Sequence, residues 1–193
     1  MKYILAFTTL IFGFSAHAGV LAEPFVGYSM GTSSVTVVSG TSASSKTSGA
    51  EYGARIGYRF PMGLVLAGEY AGGSGTIKYD SGSADDTYSE TAMGLVVGYE
   101  HGMYRVWAGY GISDQFTDKQ TGGDYVYKGT NLKIGVGIEP IHHLSVNFEY
   151  IMPKYTKYTA GGVDTDVSTT YSKFDTSAMV LSISAPFEFG GKM

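Results

Sequence analysis

Bulky apolar residues alternate with small or charged ones in run after run of this chain. Tyr52, Ala54, Ile56, Tyr58 and Phe60 share one parity, against Gly53, Arg55, Gly57 and Arg59 on the other. Leu64, Leu66, Gly68 and Tyr70 oppose Val65, Ala67 and Glu69; Met93, Leu95, Val97 and Tyr99 oppose Gly94, Val96, Gly98 and Glu100. Tyr104, Val106, Ala108, Tyr110 and Ile112 oppose Arg105, Trp107, Gly109 and Gly111; Leu132, Ile134, Val136 and Ile138 oppose Lys133, Gly135, Gly137 and Glu139. Leu144, Val146, Phe148 and Tyr150 oppose Ser145, Asn147 and Glu149; Met179, Leu181, Ile183, Ala185, Phe187 and Phe189 oppose Val180, Ser182, Ser184 and Glu188. Period two is the signature of strands with two unlike faces. With the first run through Phe25-Val26-Gly27-Tyr28, these make eight strands.

A repeat ties the runs together. Tyr28, Tyr70, Tyr110 and Tyr150 are spaced 42, 40 and 40 residues apart, and a second series ending in Gly-Tyr or Gly-Ile lies between them. Such regularity fixes architecture before any other reading. It predicts an all-β fold, an eight-stranded antiparallel up-and-down transmembrane β-barrel. Size decides which face is inside: an eight-stranded barrel holds side chains or one small ligand. Leu, Tyr, Phe and Ile from every strand would not fit there, whereas small residues and a few charges would. The bulky face is therefore outside, where only lipid tolerates so much apolar area.

Turns set the polarity of the wall. Phe60-Pro61-Met62-Gly63, His101-Gly102-Met103 and Glu139 to His143 read as short turns. Residues 34–49, 74–87, 114–127 and 154–173 are polar and read as long loops, the arrangement of membrane barrels. Tyr58, Phe60, Tyr99, Tyr104, Phe187 and Phe189 lie beside the short turns. Tyr28, Tyr70, Tyr110 and Tyr150 lie about seven residues further along, roughly 18 Å at a strand tilt of about 40°. The two sets are expected to form two aromatic girdles.

Residues 1–18 read as a signal peptide: Lys2, an apolar run from Tyr3 to Phe14, and Ala16-His17-Ala18 before the cut. Residues 19–193 then form one barrel domain. Cysteine is absent, so no disulfide holds this exported chain. Without Lys2 there are 12 basic residues against 17 acidic ones, a net charge of −5, and no basic cluster to neutralise phosphates. Nucleic acid is not an expected partner.

On these features, the export signal, the eight runs, the Gly-aromatic alternation and the aromatic last strand, residues 19–193 resemble the small outer-membrane barrels of OmpX, the OmpA transmembrane domain and the opacity-type proteins. The resemblance implies an integral protein of a Gram-negative outer membrane, with short turns in the periplasm and long loops at the cell surface. It implies outer-membrane lipid, lipopolysaccharide and the barrel-assembly machinery as partners. Two features depart from it. Gly190-Gly191-Lys192-Met193 follow the last aromatic, and no peptidoglycan-binding domain follows the barrel, so that OmpA activity is not expected.

The charges on the small-residue face are the sharpest constellation. Arg55, Glu69, Lys133 and Glu149 each fall about six residues from a short turn, with Arg59, Glu100, Arg105, Glu139 and Glu188 lower. Buried ions need partners. Arg55 with Glu69 and Lys133 with Glu149 are the expected pairs, because each joins the strands of one hairpin. The expectation is a lumen plugged by ion pairs; the alternative is a low-conductance pore or ion path. A lipid-modifying enzyme is a second alternative. Its base would sit near the long loops, yet His101, His142 and His143 all fall at short turns. No catalytic residue, cofactor or metal site is expected: adjacent His142 and His143 point to opposite faces, and Asp164-Thr165-Asp166 lacks the spacing of a calcium loop. The loops interleave Asp80, Asp85, Asp86, Asp118 and Asp124 with Tyr79, Tyr88, Tyr125, Tyr127, Tyr155, Tyr158 and Tyr171. That mixture suits a surface protein or glycan ligand, so the expected role is structural or surface-interactive.

Overall fold

The structure is a computed structural model that describes residues 19–82 and 85–190. The signal-peptide reading at 1–18 and residues 191–193 of the tail lie outside the described residues. Seven long strands follow one another: β1 (Gly19–Val37), β2 (Ser42–Arg59), β3 (Leu64–Tyr79), β4 (Asp86–His101), β5 (Tyr104–Gln120), β6 (Gly123–Ile141) and β7 (Leu144–Ala160). Then come the short β8 (Val163–Asp166), the helical turn α1 (Val167–Thr170), β9 (Tyr171–Ser184) and β10 (Phe187–Phe189).

From β1 to β8 each strand pairs antiparallel with the next, β9 closes the ring between β7 and β1, and β10 pairs with β1. β9 and β10 form one stave, the eighth, interrupted at Ala185-Pro186 because Pro186 has no N–H for the ladder. The Ala185 N–H donates to the Pro24 carbonyl at 3.0 Å and keeps the two pieces aligned. The fold is thus an all-β up-and-down barrel of eight staves.

Burial follows the parity. Ile56 is 64% exposed, and Leu66, Leu95, Val106, Ile134, Leu181 and their like are exposed around the whole wall. Leu21, Glu23 and Val180 are fully buried in the lumen. Apolar area of this extent, outside a closed barrel, is a lipid-facing surface.

The lower end has the short turns, and Gly63, at φ 84°, makes one of them in the left-handed region that suits glycine. The upper end corrects the expectation of long loops. Residues 34–37, 42–49, 74–79, 114–120 and 154–160 are strand, and the β1–β2 register continues without slip from Gly19↔Arg59 to Thr36↔Ser42. The β1–β2, β5–β6 and β7–β8 connections are tight turns on hairpins that prolong the wall, and β8 and α1 lead on to β9. Strands of 16 to 19 residues exceed the 9–11 or so that cross a bilayer. Ser, Thr and Tyr tolerate strand geometry while both faces stay polar, so the hydrophobic pattern fades where the strands do not.

Candidate functional site

The lower and middle lumen is filled by ion pairs. Arg55 on β2 is the hub. Its Nε donates to Glu69 Oε2 at 2.7 Å, its Nη2 to Glu149 Oε1 at 2.7 Å, and its Nη1 lies 3.5 Å from Glu23 Oε1. The guanidinium also stands over Phe25 and Trp107, 5.0 and 4.9 Å from the ring centres. Arg105 grips Glu23 with both Nη atoms, each bond 2.7 Å. The Trp107 indole N–H donates to Glu149 Oε1 at 2.6 Å. Ser184 Oγ donates to Glu23 Oε1 at 2.6 Å and receives Asn147 Nδ2 at 2.9 Å. Three cations, Arg55, Arg105 and Lys133, thereby meet three carboxylates, Glu23, Glu69 and Glu149, all buried. Below them Arg59 bridges Glu100 and Glu188, and Arg105 Nη2 lies 3.0 Å from Glu100 Oε1.

Arg55 meets Glu69 as expected, and one pairing differs from the expectation. Lys133 turns to Glu69, not to Glu149 in its own hairpin, because Glu149 is held by Arg55 and Trp107. The network therefore ties strands across the barrel as well as along the β2–β3 hairpin. Glu23 was absent from the expected set. Its run, Leu21-Ala22-Glu23-Pro24-Phe25, puts large Leu21 and Phe25 inward, against the small-inside rule, and proline disguises the strand. Glycine makes the room: a Cβ on Gly135 would come within 2.5 Å of Trp107 Nε1.

Above this network the lumen opens into a chamber that period two does not predict. A β-bulge at Ile112 shifts β5 by one residue against both neighbours: Gly94 pairs with Gly111, but Met93 with Ser113. Below the bulge, Arg105 and Trp107 face inward. Above it the parity reverses, and Asp114, Phe116 and Asp118 face inward instead. They meet Tyr127, Tyr155 and Phe174. Ring centres lie 6.4 Å apart for Phe116–Tyr155, 5.9 Å for Tyr127–Tyr155 and 5.3 Å for Tyr127–Phe174. These rings surround a cavity of about 140 Å³. A second lobe of about 40 Å³ continues beneath it between Glu51, Glu90, Asp114, Asn131 and Lys133, sharing Glu90 and Tyr155 with the first. At the rim the Tyr79 hydroxyl shares its one proton between Asp86 and Asp118, 3.1 Å from each. Burial, with Asp118 alongside, pushes the Tyr79 phenol up; burial also raises Asp118, against the bonds from Gln120 and Tyr79.

The remaining expected residues are placed as follows. Tyr28, Tyr70 and Tyr110 stand outward and exposed at mid-wall, with Tyr150 outward and half-buried. Tyr58, Tyr99, Tyr104, Phe187 and Phe189 are exposed near the lower turns, and Phe60 is half-buried against Tyr58. His143 Nδ1 donates to the Pro186 carbonyl at 2.7 Å, at the lower end.

No protein-family model matches the chain, and no curated protein matches it. Solved structures do. Ail of Yersinia pestis, crystallised with the heparin analogue sucrose octasulfate, aligns with a TM-score of 0.58 at 10% identity, over 88% of this chain and 99% of that one. OprG of Pseudomonas aeruginosa aligns at 0.52 and 12% identity, over 91% and 100%. At such identities the likeness speaks to the fold: this chain has the fold of the small eight-stranded outer-membrane β-barrel proteins.

Proposed function

We propose that the chain is an integral outer-membrane barrel with a sealed lumen that acts at the cell surface through its upper hairpins. The observation that carries the sealed lumen is the three-against-three buried network around Arg55. Paired ions that satisfy one another leave no vacant site for a permeating ion, and moving one strands another in low dielectric. The exposed apolar belt contacts outer-membrane lipid, bounded by the two sets of aromatic residues as girdles. The barrel-assembly machinery inserts the chain. No catalytic activity is assigned.

An anionic glycan is the ligand class the hairpins favour. Lys46 on β2 stands directly opposite Lys78 on β3, and Lys128 on β6 opposite Lys157 on β7; all four are exposed. Like charges directly opposed destabilise a sheet, and an anion between them removes the penalty. The sulfated ligand held by Ail supports this reading, and lipopolysaccharide phosphates offer the same chemistry. In planar bilayers, the folded protein should give no steady channel; regular unitary currents in wild type would overturn the seal. Heparin-column retention should fall when Lys46 and Lys78 are both changed to Gln. Unchanged retention would remove the glycan reading.

A further inference from the structure

We infer that the chamber above the plug binds a small organic cation: an ammonium group on an apolar or aromatic body, head down. The site lies in the lumen and goes beyond the surface role of the hairpins.

Its floor holds carboxylates that the protein leaves out of any ion pair among the described residues. Glu51 is 3% exposed, lines the lower lobe, and makes neither a hydrogen bond nor an ion pair among the described residues. Glu90 lines both lobes and is likewise without either. Gly73 separates them: Glu51 and Glu90 are both its register partners, and a Cβ there would fall 2.7 Å from Glu90 Oε1. A side chain at that position would fill the gap across which the two acids face each other. Lys133 also reaches the lower lobe, but its ammonium is taken by Glu69. Asp114 accepts from Asn131 Nδ2 at 2.7 Å, and Asn131 Oδ1 remains without a partner. Nothing in the plug below needs these groups.

A buried carboxylate without a partner is costly, and a cation seated beside it removes that cost. The lower lobe, about 40 Å³, has room for a single ammonium group. Above it, Phe116, Tyr127, Tyr155 and Phe174 present ring faces and edges to the larger lobe. Aromatic walls above an acidic floor attract a cation on both counts and accept its apolar body. A neutral ligand would use the walls and ignore the floor. An anion would be repelled.

Full-length barrel refolded in detergent is titrated with phenethylamine, and with 2-phenylethanol as its neutral counterpart, by calorimetry. The amine should bind and the alcohol should bind at least about tenfold more weakly, the ratio expected when a charged hydrogen bond is lost. Glu51→Gln and Glu90→Gln should each weaken the amine by about tenfold without moving the alcohol, and both variants should keep the heat-modifiable gel shift of the folded barrel. Phe174→Ala should weaken both ligands. Equal affinity for amine and alcohol, unchanged amine affinity in Glu51→Gln, or no amine binding at millimolar concentration would overturn the site. None of these outcomes alters the seal, which conductance tests separately.

Discussion

The lower and upper halves of this barrel are made from the same staves, yet their insides are built on opposite principles. Below mid-wall, each buried charge around Arg55 has an opposite partner, and the outer surface is apolar. Above it, aromatic rings line the lumen over carboxylates that form no ion pair, and the outer surface carries exposed lysines. The difference teaches that a narrow barrel can use the same inward positions either to pair its charges with one another or to leave them facing a cavity. One bulge, at Ile112, marks the border.

The comparison predicts a gradient of cost. Arg55→Ala should be the most damaging change, because it leaves Glu149 without a cation and takes a partner from Glu69 and Glu23 as well; a loss of about 3–5 kcal/mol is expected, read from the guanidinium midpoint of the refolded barrel. A loss below about 1 kcal/mol would mean that the lower half is not held by its charges. Trp107→Phe keeps most of the ring and removes the bond to Glu149, so about 1.5–3 kcal/mol should go. Gly135→Ala pushes a methyl against the same indole and should cost about 1–3 kcal/mol by overpacking, visible as altered Trp107 fluorescence. Lengthening the turn at Gly122-Gly123, at the far upper end, should stay within about 0.5 kcal/mol.

The smallest effect is one of pH. Burial raises Asp118 above its unfolded value, so the unfolded chain gives up that proton first as pH rises. The stabilising contribution of protonated Asp118 is fully present below the ordinary aspartate range and is lost as pH rises through the raised value. Amide exchange at Thr117–Lys119, corrected for intrinsic rate, should therefore slow on acidification. Faster exchange would reverse the assignment, and Asp118→Asn should abolish the dependence.

The lower half was legible in the sequence because the bilayer imposes a strict period of two. That pattern, with counting from the short turns, brings Arg55, Glu69, Lys133 and Glu149 to one depth, and Arg55 does meet Glu69. It does not give the partners across the lumen, since which strands face one another depends on closure and tilt; hence Lys133 reaches Glu69. The upper half was legible only in composition. Read onward past Ile112, period two would turn Asp114 and Phe116 outward, and a single extra residue reverses them. No spacing rule announces a bulge. The signal that was present, tyrosines interleaved with aspartates, read as loop because neither face is apolar.

The pairing of Arg105 with Glu23 joins β5 to β1, and β1 must also pair with β9 and β10, so that Val20 lies beside Phe189. Those ends are almost the whole chain apart, and such contacts are slow to form. Until they do, Glu23 has neither Arg105 nor Ser184, and a half-built sheet would carry naked charges into lipid. Such a network is expected to act in time as well as in space: it would penalise open intermediates and favour the closed ring, so that insertion is expected as a step taken whole.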